Sequence, residues 1–128
     1  NFRDGSRHDV ADLTATAQAR GALTLWDLSH SAGAMPLELD RWNVDMAVGC
    51  GYKFLNGGPG APAFLYLAEH LQNQAPQPIT GWMGHRRAFD FVPEYEPATG
   101  IEHYLSGTPG ILGMAALDEA LALFEEAS

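Results

Sequence analysis

The sequence has few of the residues that mark secreted or nucleic-acid-binding proteins. It contains one cysteine, Cys50, which cannot form an internal disulfide and which we expect to be a small buried side chain. Its 7 Lys and Arg residues stand against 16 Asp and Glu residues, which gives a net charge of −9. This charge opposes the phosphate contacts of nucleic-acid binding and disfavours anionic membranes. We therefore expect a reducing, cytoplasmic setting without nucleic-acid or membrane partners.

Several functional signatures are also missing. No apolar stretch of the sequence approaches the roughly 18–20 residues that span a bilayer. There is no Walker pattern, complete dinucleotide fingerprint or serine nucleophile elbow. Four of the histidines have no paired metal-binding spacing with cysteine or carboxylates, so we expect no metal site; they are His8, His70, His85 and His103.

Neither end of the sequence resembles a natural chain terminus. It begins at Asn1 rather than at a methionine, and it stops at Ser128 while the preceding residues still follow a helical pattern without a glycine or proline stop. We therefore expect an internal piece of a longer protein. Its 128 residues are still enough for a hydrophobic core.

Apolar periodicity predicts alternating helices and strands. Residues 9–20 have helical spacing, with Asp9 as the N-cap and Gly21 as the stop. A short helical stretch is also expected at residues 30–34. Three short, continuously apolar segments are typical of strands that are covered on both faces, as in a parallel sheet: residues 22–26, 45–50 and 63–67. The alternation predicts an α/β fold.

The second half of the sequence has a different character. Residues 74–110 are rich in proline, glycine and aromatic residues, so we expect few regular elements there. The aromatic side chains of this segment favour an ordered, packed loop; they are Trp82, Phe89, Phe91, Tyr95 and Tyr104. Residues 111–127 then carry apolar side chains at helical spacing, which predicts an amphipathic helix.

Lys53 is the residue whose surroundings point most directly to chemistry. It lies in the small, apolar and glycine-rich segment 49–60 (GCGYKFLNGGPG), where a solvated charge would be out of place, and Asp27 follows the first predicted strand. A lysine can hold pyridoxal phosphate as a Schiff base, while a carboxylate pairs with the pyridinium nitrogen. In the alternative interpretation, Asp27 caps a helix and Lys53 snorkels to the surface. These two residues alone leave both interpretations open.

Two neighbours of this pair are further candidates. His30 lies three residues beyond Asp27 and could stack on a cofactor ring or bind its 3-oxygen, although a lone histidine is more often structural. Tyr52 directly precedes Lys53. On a turn, the Tyr52 hydroxyl could reach a phosphate, whereas on a strand the two side chains would point to opposite faces and the tyrosine would belong to the core.

Taken together, these segments resemble kynureninases. The first two are residues 26–33 (WDLSHSAG) and 51–60 (GYKFLNGGPG), which similar class V aminotransferases and cysteine desulfurases share in outline. A tyrosine before the lysine, where desulfurases usually carry histidine, and residues 81–85 (GWMGH) narrow the resemblance. It continues through residues 94–97 (EYEP) and 105–109 (LSGTP), so it spans nearly the whole chain.

The resemblance implies a role for each candidate residue. Lys53 would hold pyridoxal 5'-phosphate covalently, Asp27 would pair with its ring nitrogen, and His30 would lie beside the ring. Tyr52 would contact the phosphate. Trp82 and Thr108 would complete the pocket, either within this subunit or from the neighbouring subunit of a homodimer.

The resemblance also implies a fold and a reaction. The chain would be the central part of the large domain of a fold type I enzyme, of the aspartate aminotransferase type, with a mostly parallel sheet flanked by helices. The N-terminal part and the C-terminal small domain would be absent, so we expect this chain to be inactive alone. The reaction would be hydrolysis of L-kynurenine to anthranilate and L-alanine in tryptophan catabolism. Thr108 stands where the family often has asparagine, which leaves acceptance of 3-hydroxykynurenine open.

Two other functions are alternatives to this reading. A cysteine desulfurase or class V aminotransferase would use the same cofactor residues, although Cys50 lies in a predicted strand rather than in a thiol loop. A degenerate, non-enzymatic interaction module is the third possibility.

Overall fold

The computed structural model describes residues 1–127 of the chain. They form two compact units, one made of residues 1–66 with the segment from Gly110 onward, the other of Leu67–Pro109. The helices and strands are α1 (Val10–Gln18), β1 (Leu25–Asp27), β2 (Met46–Cys50), β3 (Ala63–Leu67), α2 (Glu69–Gln72), a first 3-10 helix (Trp82–Gly84), a second 3-10 helix (Gly100–Tyr104) and α3 (Ile111–Glu126). No helix among residues 1–127 combines the length and the apolar character needed to cross a membrane.

Helix α1 begins and ends where its sequence predicts. The Asp9 carboxylate accepts a hydrogen bond from the Asp12 N–H at 3.0 Å, and the chain turns away at Gly21, whose φ of 76° suits glycine. One face of the helix is tied to the sheet, because the Trp26 indole N–H donates to the buried Thr14 hydroxyl at 3.0 Å. The helix is thereby fixed beside β1.

The three strands form a sheet in the order β1-β2-β3. Strands β1 and β2 are parallel, with Asp27 opposite Val48. The Gly51 N–H donates to the Pro62 carbonyl at 2.9 Å, which pairs the residue after β2 with the residue before β3. Neighbouring strands whose adjoining ends pair in this way run antiparallel, so the sheet is mixed. The predicted α/β class is confirmed.

The first strand starts three residues later than predicted, at Leu25. A buried carboxylate explains the difference: Asp45 accepts hydrogen bonds from both the N–H and the hydroxyl of Thr24, at 2.8 and 2.9 Å. Gln18 of α1 donates to the same carboxylate at 3.1 Å. Thr24 is thus held by this side chain in addition to backbone pairing, since its carbonyl accepts from the Met46 N–H at 3.1 Å.

The core of the first unit is small. Its fully enclosed apolar residues, Leu28, Val44 and Ala47, pack beneath the sheet with partly buried neighbours such as Trp26 and Phe64. Helix α3 is confirmed at its predicted position, but its apolar stripe is largely uncovered. Ala120 is its buried residue within the described chain, while Leu112 is 88% exposed.

The second unit consists mainly of loops, as predicted for residues 74–110. Two glycines let its backbone segments approach one another closely, since a Cβ at Gly81 would clash with Ser106 and one at Gly84 with Leu105. Of the aromatic side chains that predicted a packed loop, two are largely exposed, because Phe89 and Phe91 are 71% and 85% exposed. A unit this short cannot enclose every ring.

Candidate functional site

Asp27 ends β1 and stays ionised. Its Oδ1 accepts a hydrogen bond from the Ser29 N–H at 2.8 Å. The hydroxyl and the backbone N–H of Ser29 hold the pKa of Asp27 below its usual range, and the charges of Lys53 and His30 lower it further by smaller amounts. The carboxylate thus both caps the following turn, as the alternative interpretation expects, and offers a fixed negative charge at the strand end.

His30 lies on the turn that follows β1. Residues 30–34 form hydrogen-bonded turns rather than the expected short helix, with the Ala32 N–H donating to the Leu28 carbonyl at 2.9 Å. The His30 imidazole is exposed, and its ring centre lies 5.8 Å from that of Phe2. It is therefore free to contact a planar group from the solvent side.

A cavity of about 800 Å³ opens beside Asp27 and His30. Trp26 and Phe54 supply part of its apolar wall. Sequence reasoning missed the other side of this cavity, which the N-terminal segment provides through Asn1, Phe2, Gly5, Ser6, Arg7 and His8. The available signal was a polar, glycine-containing turn directly before a helix, a place where α/β proteins bind ligands.

The segment that carries Lys53 is a tight loop between β2 and β3. The Gly57 N–H donates to the Gly51 carbonyl at 2.9 Å, and Asn56 adopts a φ of 61° that closes the turn. Lys53 is half-buried, and its Nζ lies 5.3 Å from the centre of the Tyr52 ring. Tyr52 itself is 49% exposed. Tyr52 and Lys53 thus lie on a bend rather than on a strand, which is the backbone that the turn alternative requires.

Strand direction brings Asp27 and Lys53 to one edge of the sheet. Because β1 and β2 are parallel, their carboxyl ends lie at the same edge, and the Leu28 N–H continues the pairing to the Val48 carbonyl at 2.8 Å. Gly33, with a φ of 82°, packs so closely on the Phe54 carbonyl that a Cβ would clash. The turn after β1 therefore contacts the lysine loop through backbone atoms.

Cys50 also lies at this edge. It is half-buried rather than buried as expected, because it sits at the open end of β2, where its Sγ lies 3.9 Å from the Ser29 carbonyl oxygen. Helix α3 supports the same loop from another side, since Leu117 contacts the positions of Gly51 and Gly57.

Trp82 and Thr108 belong to the second unit. The Trp82 ring meets Phe89 edge-on at 5.6 Å and forms part of the wall of a cavity of about 470 Å³, together with Arg87 and Tyr95. Thr108 is exposed and does not line this cavity. The structure thus places the two residues in one unit without bringing them around a single cavity.

The first unit suits a pyridine cofactor better than a metal ion. The carboxylate of Asp27 is held ionised beside a cavity larger than one pyridine ring, an imidazole lies at its mouth, and a primary amine stands on the neighbouring loop. Lys53 and Tyr52 do not themselves line that cavity. Across residues 1–127, no group of three or more His, Cys, Asp or Glu residues is arranged to hold a metal.

Comparison with known proteins gives the chain a family. Residues 3–128 match the model of the family described as aminotransferase class-V. The kynureninase of Deinococcus radiodurans is 51% identical over 97% of the chain, and that of Pseudomonas fluorescens is 46% identical over 98%. The chain spans 30% of the length of each of these relatives. The resemblance to kynureninase inferred from the short motifs is confirmed.

Solved structures agree on the fold. C-DES, in a variant with glycine covalently linked to its PLP cofactor, superposes with a TM-score of 0.83 at 21% identity, over 97% of this chain and 33% of that one. At this identity the likeness concerns the fold, which is that of the class V enzymes. The chain belongs to the aminotransferase class-V family.

Proposed function

We propose that the protein containing this chain is a kynureninase, a pyridoxal phosphate-dependent hydrolase that converts L-kynurenine to anthranilate and L-alanine. The observation that carries the proposal is the shared sheet edge, where an ionised Asp27 and the Lys53 loop meet at the ends of two parallel strands. The 51% identity to a kynureninase over 97% of the chain favours this reaction over the other reactions of the family.

Lys53 would have two tasks. Its amine would bind the cofactor as a Schiff base, and after the substrate amine has replaced it, the freed amine would move a proton at the substrate Cα. When bound, pyridoxal phosphate acts as an electron sink, which weakens the bonds at Cα and lets the Cβ–Cγ bond break once water has added to the carbonyl. The short glycine-rich loop around Lys53 limits how far this amine can move.

Asp27 would keep the ring nitrogen protonated. A carboxylate whose pKa is lowered by Ser29 remains negative at neutral pH, so it would favour the positive form of a facing pyridinium nitrogen. His30 would lie against the ring from its exposed position, and the Tyr52 hydroxyl would contact the phosphate. These roles rest on the family resemblance and on the placement of the four residues.

The remaining assignments concern the second unit and the assembly. Trp82 and Thr108 would complete the cofactor and substrate pocket in a homodimer. We also place the enzyme in the cytoplasm, in line with its single cysteine.

The test uses the full-length protein with its flanking sequence and added pyridoxal phosphate. Repeated release of anthranilate from L-kynurenine is expected, together with loss of turnover in Lys53→Ala. Lys53 is the single lysine among the 128 residues, so a cofactor trapped by borohydride should label the peptide that contains it. Sulfide release from L-cysteine without anthranilate would instead assign the protein to the desulfurases. Absence of both products and of trapped cofactor would favour a non-enzymatic role.

A further inference from the structure

His85 closes a loop in the second unit with both of its ring nitrogens. Its Nδ1 accepts a hydrogen bond from the Arg87 N–H at 2.8 Å, and its Nε2 lies 3.0 Å from the Glu94 carbonyl oxygen. An amide N–H can only donate and a carbonyl oxygen can only accept. The two bonds therefore require a neutral imidazole that carries its proton on Nε2.

The ring of His85 joins the start of this loop to its end. It meets the Tyr95 ring edge-on at 5.7 Å, and the Tyr95 hydroxyl donates to the Gly84 carbonyl at 3.2 Å. Backbone pairing continues beyond the histidine, where the Arg86 N–H donates to the Glu96 carbonyl at 2.8 Å. The loop of residues 85–95 is thus fastened at its base, with His85 as its innermost polar side chain.

This loop forms most of one wall of a cavity. Arg87, Phe91 and Tyr95 line the cavity of about 470 Å³ together with Trp82 and with His85 itself. Movement of the loop would therefore change the shape of the cavity next to Trp82.

The charged groups around His85 lie mostly within the loop itself. Arg86 pairs with Glu96 at 2.9 Å, and Arg87 approaches Asp90 and Glu96 at 3.5 and 3.6 Å. The loop also carries the titratable groups of Glu94 and Tyr95, and the neighbouring 3-10 helix carries those of Glu102, His103 and Tyr104. All three ion pairs are solvent-exposed, and such pairs contribute little to stability. The imidazole bonds to Arg87 and Glu94, which are also exposed, add two further ties within the loop.

We propose that His85 is a pH-sensitive clamp for the start of the loop, at Arg87. In the neutral form, Nδ1 accepts from the Arg87 N–H and thereby fixes the backbone at Arg87, a residue that lines the cavity. Protonation places a hydrogen on Nδ1, so that this atom faces the Arg87 N–H as a second donor and the bond is lost. The Nε2–H bond to the Glu94 carbonyl remains, so the base of the loop stays closed while the cavity wall at Arg87 is released.

Hydrogen exchange in the full-length protein tests the clamp. His85→Phe keeps a ring for the Tyr95 contact but removes both hydrogen bonds, so amide exchange of residues 86–95 should accelerate about tenfold at pH 8. In the wild type, exchange of the Arg87 amide, corrected for its intrinsic pH dependence, should accelerate from pH 8 to pH 5.5, while His85→Phe shows no further change. His70→Gln, at an exposed histidine of the same unit, is the matched control and should behave as the wild type.

A second measurement keeps the proposal testable if His85→Phe does not fold. In wild-type protein with ¹⁵N-labelled histidine, His85 should be the Nε2–H tautomer at pH 8, and its protonation should follow the change in loop exchange. An Nδ1–H tautomer, or loop exchange that is independent of His85 protonation, overturns the proposal. Neither readout uses turnover, so failure of the clamp is distinguishable from failure of the proposed kynureninase activity.

Discussion

Different kinds of hydrogen bonds stabilise each of the two units internally. In the first, parallel pairing of β1 and β2 sets the register, and the register decides which residues reach the sheet edge. In the second, side chains bind loop backbone directly: Tyr104 donates to the Ala75 carbonyl at 2.9 Å and Ser106 to that of Ile79 at 3.1 Å. Residues that must keep a fixed geometry lie on the sheet edge. Loops fastened by side chains respond more readily to substitution and to pH.

The largest effect is expected from removing the charge of Asp27. Asp27→Asn keeps the oxygen that accepts from Ser29 but cannot stabilise a protonated ring nitrogen, so kcat for anthranilate formation should fall about 10²- to 10³-fold in the full-length protein. Circular dichroism should remain unchanged. Asp40→Asn, at an exposed acid of the same unit, should retain activity. Similar activity in both variants would remove Asp27 from the proposed site.

Asp45 provides the next test, because its side chain stabilises the first unit in the way that side chains stabilise the loops of the second unit. The carboxylate is 2% exposed and accepts from Gln18 and twice from Thr24. Asp45→Ala leaves these partly buried donors without that acceptor, so it should lower the free energy of unfolding by about 3 kcal/mol. Urea unfolding followed by tryptophan fluorescence measures the loss.

Asp45→Asn provides the matched control. It retains one acceptor oxygen for Thr24 and should lose about half as much stability. Amide exchange should locate the damage in α1 and β1 and leave residues 85–95 unchanged. Equal loss of protection in both units would show that they do not differ in the way proposed.

Gly33 tests the backbone contact between the turn after β1 and the lysine loop. In Gly33→Ala, the new Cβ meets the Phe54 carbonyl and the φ of 82° is strained, so stability should fall by about 2–3 kcal/mol and kcat should fall as Lys53 is displaced. Gly58→Ala is the matched control. Gly58 has a similar φ of 72°, but no atom of the described residues lies within 4 Å of the Cβ that alanine would add. It should lose about 1 kcal/mol and keep its kcat. An unchanged kcat in Gly33→Ala would contradict the role of this contact.

The sequence was most informative where short-range rules act. Asp9 and Gly21 marked the ends of α1 because capping and left-handed φ are local, and the span of β3 was predicted without error. The start of β1 was predicted too early, since the Thr24–Asp45 bonds join residues 21 positions apart. Long-range contacts of this kind leave no periodic signal.

The candidate site was predictable to a similar degree. Asp27 and Lys53 were recognisable from their neighbours in sequence, but the part of the cavity formed by Phe2 and His8 depends on how the chain folds back. The hydrogen bonds of the His85 ring nitrogens were not predictable either. A histidine without metal spacing gives no indication that both of its nitrogens bind backbone.

The smallest expected effect is the contribution of Tyr66 to stability, which changes at alkaline pH. Its hydroxyl donates to Asp40 at 2.6 Å, and burial, followed by the bond to and the charge of Asp40, raises the pKa of Tyr66 from 10 to about 12. Because the folded-state pKa lies above the unfolded one, this stabilisation is complete below pH 10 and is lost as the pH rises towards 12.

Tyr66→Phe should therefore lower stability by about 0.5–1 kcal/mol at pH 8, and the difference from the wild type should shrink above pH 10. Urea unfolding at pH 8, 10 and 11 measures it, with Tyr52→Phe as the control at an exposed tyrosine. A difference that stays constant across this range would mean that the hydroxyl contributes through packing alone. A shrinking difference would show that even the register-held unit contains a side-chain bond that responds to pH, at the alkaline end of the range.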